Sequence, residues 1–311
     1  SVYDYGQIIF LVLQASSIPF TIIFNSFIIV IILKIKEKNY TDLLFMSIAI
    51  IDFIYGLISI PSQTIYTWFN YWPLGYSVCM LWLIHDYSSC TVSLVNLALI
   101  SLQRLRLIVT PTKASEKMST IKYIIIILVW PISYIPWGVS ILIISPRNNL
   151  QGSCYFDYKL IFILFACIFG YVLPIISVVV LNILTIYALR KKTKKFPTNK
   201  NLTKNKTRQI STNLTSHSTT NIQTQINSNS NALLNNNASN HTSVSTINIS
   251  KEKKALICLI VVAAFLVACW ALFIVLWPMI SNCFSCVSLT LIEVSIWTIY
   301  LHSTFNPIIL I

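Results

Sequence analysis

Two carboxylates stand deep inside long apolar runs of this 311-residue chain, Asp52 and Asp86. An ionised side chain in hydrocarbon costs at least about 2.5–3.5 kcal/mol on insertion scales, so each marks a candidate site. Asp86 follows Cys79 by about two helical turns, in the outer third of its run. Cys90 and Ser93 come after it at i+4 and i+7, which makes one polar stripe that must face a helix-bundle interior. An anion at that depth, reachable from outside, is suited to a ligand cation. Aromatic pairs at i,i+3 complement it: Trp297 with Tyr300 in the last run, and Trp270 with Phe273 in the one before. Rings around a carboxylate form a cage for an ammonium group, through charge pairing and cation–π attraction. Two plainer readings stand beside this one. Asp86 can serve as a helix-to-helix hydrogen bond, and the aromatics can be packing alone.

Asp52 is deeper, and no Lys or Arg in the interior of any apolar run can neutralise it. Ser93, Ser303, Asn306 and Asn25 offer neutral oxygens and amides, a set that suits Na⁺ or a proton. No other metal and no organic cofactor is expected. At the inner end of the third run, Gln103-Arg104-Leu105-Arg106 is followed much later by Glu252 at the start of the sixth. An Arg104–Glu252 pair would latch the two helices there; alternatively Arg104 is one more basic residue on the inner side. Of eight cysteines, Cys90, Cys167, Cys258 and Cys269 fall within apolar runs and read as small apolar residues. Cys79 and Cys154 both face the outside, which predicts a bridge between them. Cys283 and Cys286 form a C-x-x-C in the last outer loop; without partner ligands they read as a local disulfide or as free thiols.

These residues need a scaffold that the composition already describes. The chain is 56% hydrophobic and only 10% charged, with a mean hydropathy of +0.73. A soluble domain carries about 25% charged residues. Apolar runs long enough to cross a bilayer lie at roughly 7–33, 43–68, 77–103, 120–145, 159–189, 254–280 and 287–311. The expected fold is an all-α membrane protein, a bundle of seven transmembrane helices. Residues 1–190 supply the first five helices and 254–311 the last two. The first run is too long for a signal peptide and no small-residue cleavage site follows it. The chain begins without Met and stops inside an apolar run, as a fragment would.

The net charge of +13 would suggest a nucleic-acid partner in a soluble protein. Its placement says otherwise: 20 of the 22 Lys and Arg fall in alternate loops around 34–38, 104–122 and 190–254. The positive-inside rule puts those loops in the cytoplasm and the N-terminus outside. Residues 191–253 form the longest of these loops. The stretch 196–250 holds thirteen Asn, ten Thr and nine Ser with one aromatic, Phe196, and reads as disordered. All seven N-x-[ST] matches, from Asn39 to Asn248, lie on the cytoplasmic side, where glycosylation does not reach.

The ordered landmarks Asn25, Asp52, Cys79, Asp86, Arg104, Trp130, Cys154, Pro174, Cys269-Trp270 and Asn306-Pro307 resemble class A, rhodopsin-like G-protein-coupled receptors. Asp86 matches the aspartate that holds the amine in the biogenic-amine group. Trp297-Thr-Ile-Tyr300 with Ser303-Thr-Phe-Asn306-Pro307 looks like that group's seventh-helix signature. Within the group, Ile51–Pro61 and Trp82–Thr91 are most similar to histamine receptors of the third and fourth type, and Asn182 and Tyr187 fit as well. The resemblance implies an amine pocket at Asp86, Tyr87, Cys90, Trp270, Phe273, Trp297 and Tyr300. It implies a sodium pocket at Asp52, Ser93, Ser303 and Asn306. It implies activation switches at Arg104, Glu252, Trp270, Asn306 and Pro307. It also implies a multi-pass plasma-membrane protein whose partners are a small amine, a heterotrimeric G protein and membrane lipids, with no nucleic acid.

Several positions depart from the pattern. Gly170 stands where those histamine receptors place an acid, four residues before Pro174, and the serines of catecholamine-type receptors are absent too. Gln103 replaces the usual Asp before Arg104, and Leu105 the Tyr after it. Leu272, His302 and Leu310 depart likewise. Other classes fit less well. A secondary transporter should show internal repeats and Gly-rich broken helices, but there are six glycines and no repeat. An intramembrane enzyme needs clustered catalytic groups, yet the four histidines are dispersed. A light-sensing opsin needs a lysine in its last helix, and none is present. A class A receptor for a peptide or lipid, or one that has lost amine binding, is the remaining alternative.

Overall fold

In a bilayer every backbone polar group must be satisfied within the segment, so long apolar runs fold as helices. The computed structural model describes residues 5–110, 119–144, 152–154, 164, 167–195, 254, 256–280, 283 and 286–310. Seven long helices follow in order: α1 (Tyr5–Lys34), α2 (Tyr40–Phe69), α3 (Gly75–Val109), α4 (Thr120–Ile144), α5 (Leu173–Lys195), α6 (Leu256–Ile280) and α7 (Leu289–Leu310). No strand occurs among the described residues. The chain divides into Ser1–Thr185 with Cys258–Ile311, which carries the bundle and the site, and Ile186–Ile257. Of the latter, the inner end of α5 is described, and Leu189 and Leu256 are buried there.

Six helices are long and apolar enough to cross a membrane, and α7 is not among them. The reason is its buried polar row: Ser295, His302, Ser303, Thr304 and Asn306 all sit inside the bundle. Polarity that lowers a hydropathy average is what a helix facing a polar interior requires. Helix ends also differ from the apolar runs. α2 begins at Tyr40, because Asn39 and Asp42 form a capping box: Asp42 N–H donates to Asn39 Oδ1 at 3.0 Å, and Asn39 N–H to Asp42 Oδ2 at 2.9 Å. Asn70 ends the helix in the left-handed region, φ 54°, which asparagine tolerates. α3 continues through Arg104 and Arg106 to Val109, since long basic side chains allow a helix to pass into the polar interface.

Ahead of α5 the backbone is π-helical over Cys167–Val172. Pro174 has no N–H for the carbonyl four residues back, and its ring would clash there, so the preceding turn widens. That carbonyl belongs to Gly170. The main core joins Leu94, Leu97 and Ile100 of α3 to Tyr171, Val178, Leu266 and Trp270. A second cluster packs Trp72, Trp82 and Ile141 around Cys79 and Cys154, with the Trp72 and Trp82 rings stacked at 4.8 Å. Cys79 and Cys154 are disulfide-bonded, with Cα atoms 5.8 Å apart, and Cys283 is bonded to Cys286. The predicted disorder of 196–250 falls outside the described residues, but α5 does run to Lys195 as a basic extension.

Candidate functional site

Asp86 projects from the fourth turn of α3, about two turns below the Cys79–Cys154 bridge that ties the helix to the loop after α4. It borders a cavity of about 800 Å³. Ligand pockets run about 300–1,000 Å³, so this one is near the upper end. Ser59 and Tyr55 of α2 approach the Asp86 side chain, but Oδ1 of Asp86 is buried without a hydrogen-bond partner. A buried acceptor left unmatched by the protein costs free energy, and a donor brought by a ligand would relieve that cost.

The cavity wall is aromatic. Tyr171 and Trp270 lie 4.5 Å apart between ring centroids, and Trp270 meets Phe273 edge-on at 5.9 Å. Phe273 reaches Trp277 at 4.9 Å, while Tyr55 meets Tyr300 edge-on at 5.5 Å. Tyr87 stacks on Trp137 of α4 and on Trp277 of α6, so this one ring couples three helices. The structure thus brings Asp86, Tyr87, Cys90, Trp270, Phe273 and Tyr300 to one cavity. Trp297 is not part of its lining. The cavity-facing arc of α7 is marked by Ile292, Glu293, Ile296, Ile299 and Tyr300, and the helical rotation carries Trp297 just past its edge. The i,i+3 spacing to Tyr300 was real, but spacing alone does not give the phase of a face.

Sequence reasoning missed Tyr55, Tyr171, Trp277 and Glu293 on the cavity. Trp277 had a usable signal, because it continues the Trp270 and Phe273 face at i+7 and i+4. Gly170 explains the absent acid of the fifth helix sterically. A Cβ there would lie 2.9 Å from Cζ2 of Trp137. That indole is held by its Nε1, which donates to Thr91 Oγ1 at 3.0 Å. The space for a polar anchor is filled by tryptophan.

Below the cavity, Asp52 is 2% exposed and gathers the predicted polar set. Ser303 donates to its Oδ1 at 2.8 Å, Asn306 Nδ2 to its Oδ2 at 2.9 Å, and Ser93 approaches Oδ1 at 3.5 Å. Asn25 stays outside this set, donating instead to the backbone oxygens of Thr21 and Ser303. Oδ1 of Asn306 is buried without a partner. A carboxylate, two hydroxyls and an unmatched amide oxygen form a hard oxygen donor set, the chemistry a small cation requires. At the inner end, Arg104 of α3 lies near Cys258 of α6. Glu252 lies outside the described residues, so the expected latch does too. Pro307 stands within α7.

Seven helices around a buried carboxylate and an aromatic cavity define a multi-pass membrane receptor. Residues 24–310 match the family "7 transmembrane receptor (rhodopsin family)", and the chain belongs to it. This is a family of signalling receptors, not enzymes. The chain is 31% identical over 165 residues to the muscarinic acetylcholine receptor M2 of Gallus gallus, covering 51% of this chain and 35% of that protein. It is 28% identical over 185 residues to the histamine H4 receptor of Mus musculus, covering 57% and 47%. A muscarinic acetylcholine receptor of Caenorhabditis elegans is 29% identical over 164 residues, covering 49% and 26%. The matched stretch spans less than half of each relative's own length.

Proposed function

We propose that the chain is a plasma-membrane receptor for a small amine. The ligand's ammonium group pairs with Asp86, and the bound state is passed to a cytoplasmic heterotrimeric G protein. The observation that carries the reading is the buried, unmatched Oδ1 of Asp86 within an aromatic wall. That pairing of anion and rings attracts alkylammonium cations by charge and by ring quadrupole together. Relatives named for acetylcholine and histamine, both small cations, support the same class. Trp270 on the cavity floor packs against Tyr171, so a ligand's contacts there bear on the positions of α5 and α6. An amine that favours one arrangement of those helices shifts the population toward it in proportion to its differential affinity. Arg104, Pro307 and the basic inner helix ends are the G-protein-facing machinery in this reading, and Asp52 with Ser93, Ser303 and Asn306 holds an allosteric Na⁺.

A panel of amines on the expressed receptor, with Asp86→Asn alongside, tests the reading. An amine that activates the parent should lose at least about 100-fold in potency in the variant, since a buried charge pair is broken. An amine that activates both equally well would sink the assignment. Activation of both only by peptides or lipids would move the protein to a different ligand class within the family.

A further inference from the structure

The cavity holds a second carboxylate, and nothing among its described lining residues neutralises either one. Glu293 of α7 lines the same space as Asp86, and among the described residues no Lys, Arg or His shares the lining. Glu293 is half-buried and makes no hydrogen bond or ion pair among the described residues. The two acids sit at different heights. Tyr300, which borders Asp86, follows Glu293 by seven residues on α7, a rise of about 10 Å. Between those levels the α7 residues on the cavity are Ser295, Ile296 and Ile299, with Ile292 beside Glu293, so the wall there is largely aliphatic, and Phe273 and Trp277 of α6 line the same space. On the same cavity α2 offers neutral oxygen: Gln63 Nε2 donates to Thr67 Oγ1 at 3.2 Å, which leaves the amide oxygen as an acceptor.

From this arrangement we infer that the receptor's ligand is a dication, an elongated diamine or polyamine with one ammonium on Asp86, an apolar linker along α7, and a second ammonium on Glu293. The inference rests on the amine reading above and deepens it. A monoamine leaves one acid of the cavity uncompensated, whereas a dication satisfies both and its methylenes match the aliphatic wall. The second anchor, absent from the fifth helix where Trp137 occupies the space beside Gly170, is supplied from the opposite side of the cavity. Bonds of about 1.5 Å in a staggered chain advance roughly 1.25 Å each, so a linker of roughly five to eight methylenes spans the gap.

The test is isothermal titration of α,ω-diaminoalkanes with three to ten methylenes, and of n-alkylamines of equal length, against the full chain in detergent. The parent should show an optimum in diamine affinity at intermediate length, at least about tenfold above the matching alkylamine. Glu293→Gln should abolish that advantage while leaving alkylamine affinity within about twofold. Glu293→Lys should invert the preference, so that an ω-aminocarboxylate of the optimal length binds more tightly than the diamine. A diamine affinity that is flat with length overturns the inference, as does a Glu293→Gln loss shared equally by diamines and alkylamines. Asp86→Asn should weaken both series, and if it weakens neither, the amine reading itself fails rather than the second anchor. Failure of both series to bind the parent overturns both.

Discussion

At the scale of single residues, the free energy of burying charge made Asp52 and Asp86 stand out before any fold was known, because each needs a reason to be in hydrocarbon. Glu293 carried no such signal. An acid one turn into a helix reads equally well as facing water or facing a cavity, and hydropathy cannot separate the two. Gly170 was visible as a missing acid but not as a packing constraint, since the partner, Trp137, comes from another helix. Trp137 is fixed by its hydrogen bond to Thr91 and by the Tyr87 ring at 5.1 Å, so it has little freedom to retreat. Gly170→Ala should therefore cost about 1–3 kcal/mol through overpacking, seen as a lower Tm of the solubilised protein. Trp137→Leu in the same chain should recover most of the loss. An unchanged Tm for Gly170→Ala would show that the indole moves aside freely.

At the scale of elements, the apolar runs located all seven helices, while their ends and faces needed more. The capping box at Asn39 and Asp42 set the start of α2 three residues before its apolar run, and α3 continued past two arginines. Of the polar residues of α7, Ser303 and Asn306 were read as sharing one pocket with Asp52, and Asp52 of α2 is where their side chains meet. Ser93 of α3, Ser303 and Asn306 of α7 all reach that carboxylate, so three helices are tied by one anion. A Na⁺ bound there would add a charge that strengthens those ties in whichever helix arrangement keeps the oxygens converged. If that is the resting arrangement, raising NaCl against N-methylglucamine chloride at constant ionic strength should lower agonist affinity several-fold. Asp52→Asn should remove the cation effect, because an amide offers no charge to hold the ion. An agonist affinity indifferent to Na⁺ in the parent would refute the site.

At the scale of the whole molecule, the +13 charge resolves into a strongly basic inner side and a nearly neutral outer one, with two acids in the membrane and Glu293 at the outer end of the cavity. In the proposed receptor the inner side holds the resting state without ligand, and here the chain departs from its family's pattern. Gln103, 7% exposed, stands before Arg104 where a carboxylate would otherwise pair with the guanidinium in the same turn. An amide can hydrogen-bond to arginine but contributes no charge, and charge-assisted bonds are roughly twice as strong as neutral ones. Any restraint that depends on Arg104 is thus weaker by on the order of 1 kcal/mol, which shifts a two-state equilibrium several-fold toward the signalling form. Basal second-messenger output should exceed that of empty cells at matched surface expression. Gln103→Asp should bring it down without lowering the response to a saturating agonist. Basal output equal to that of empty cells would mean that the resting state is held by contacts other than the one this arginine makes with its neighbour in sequence.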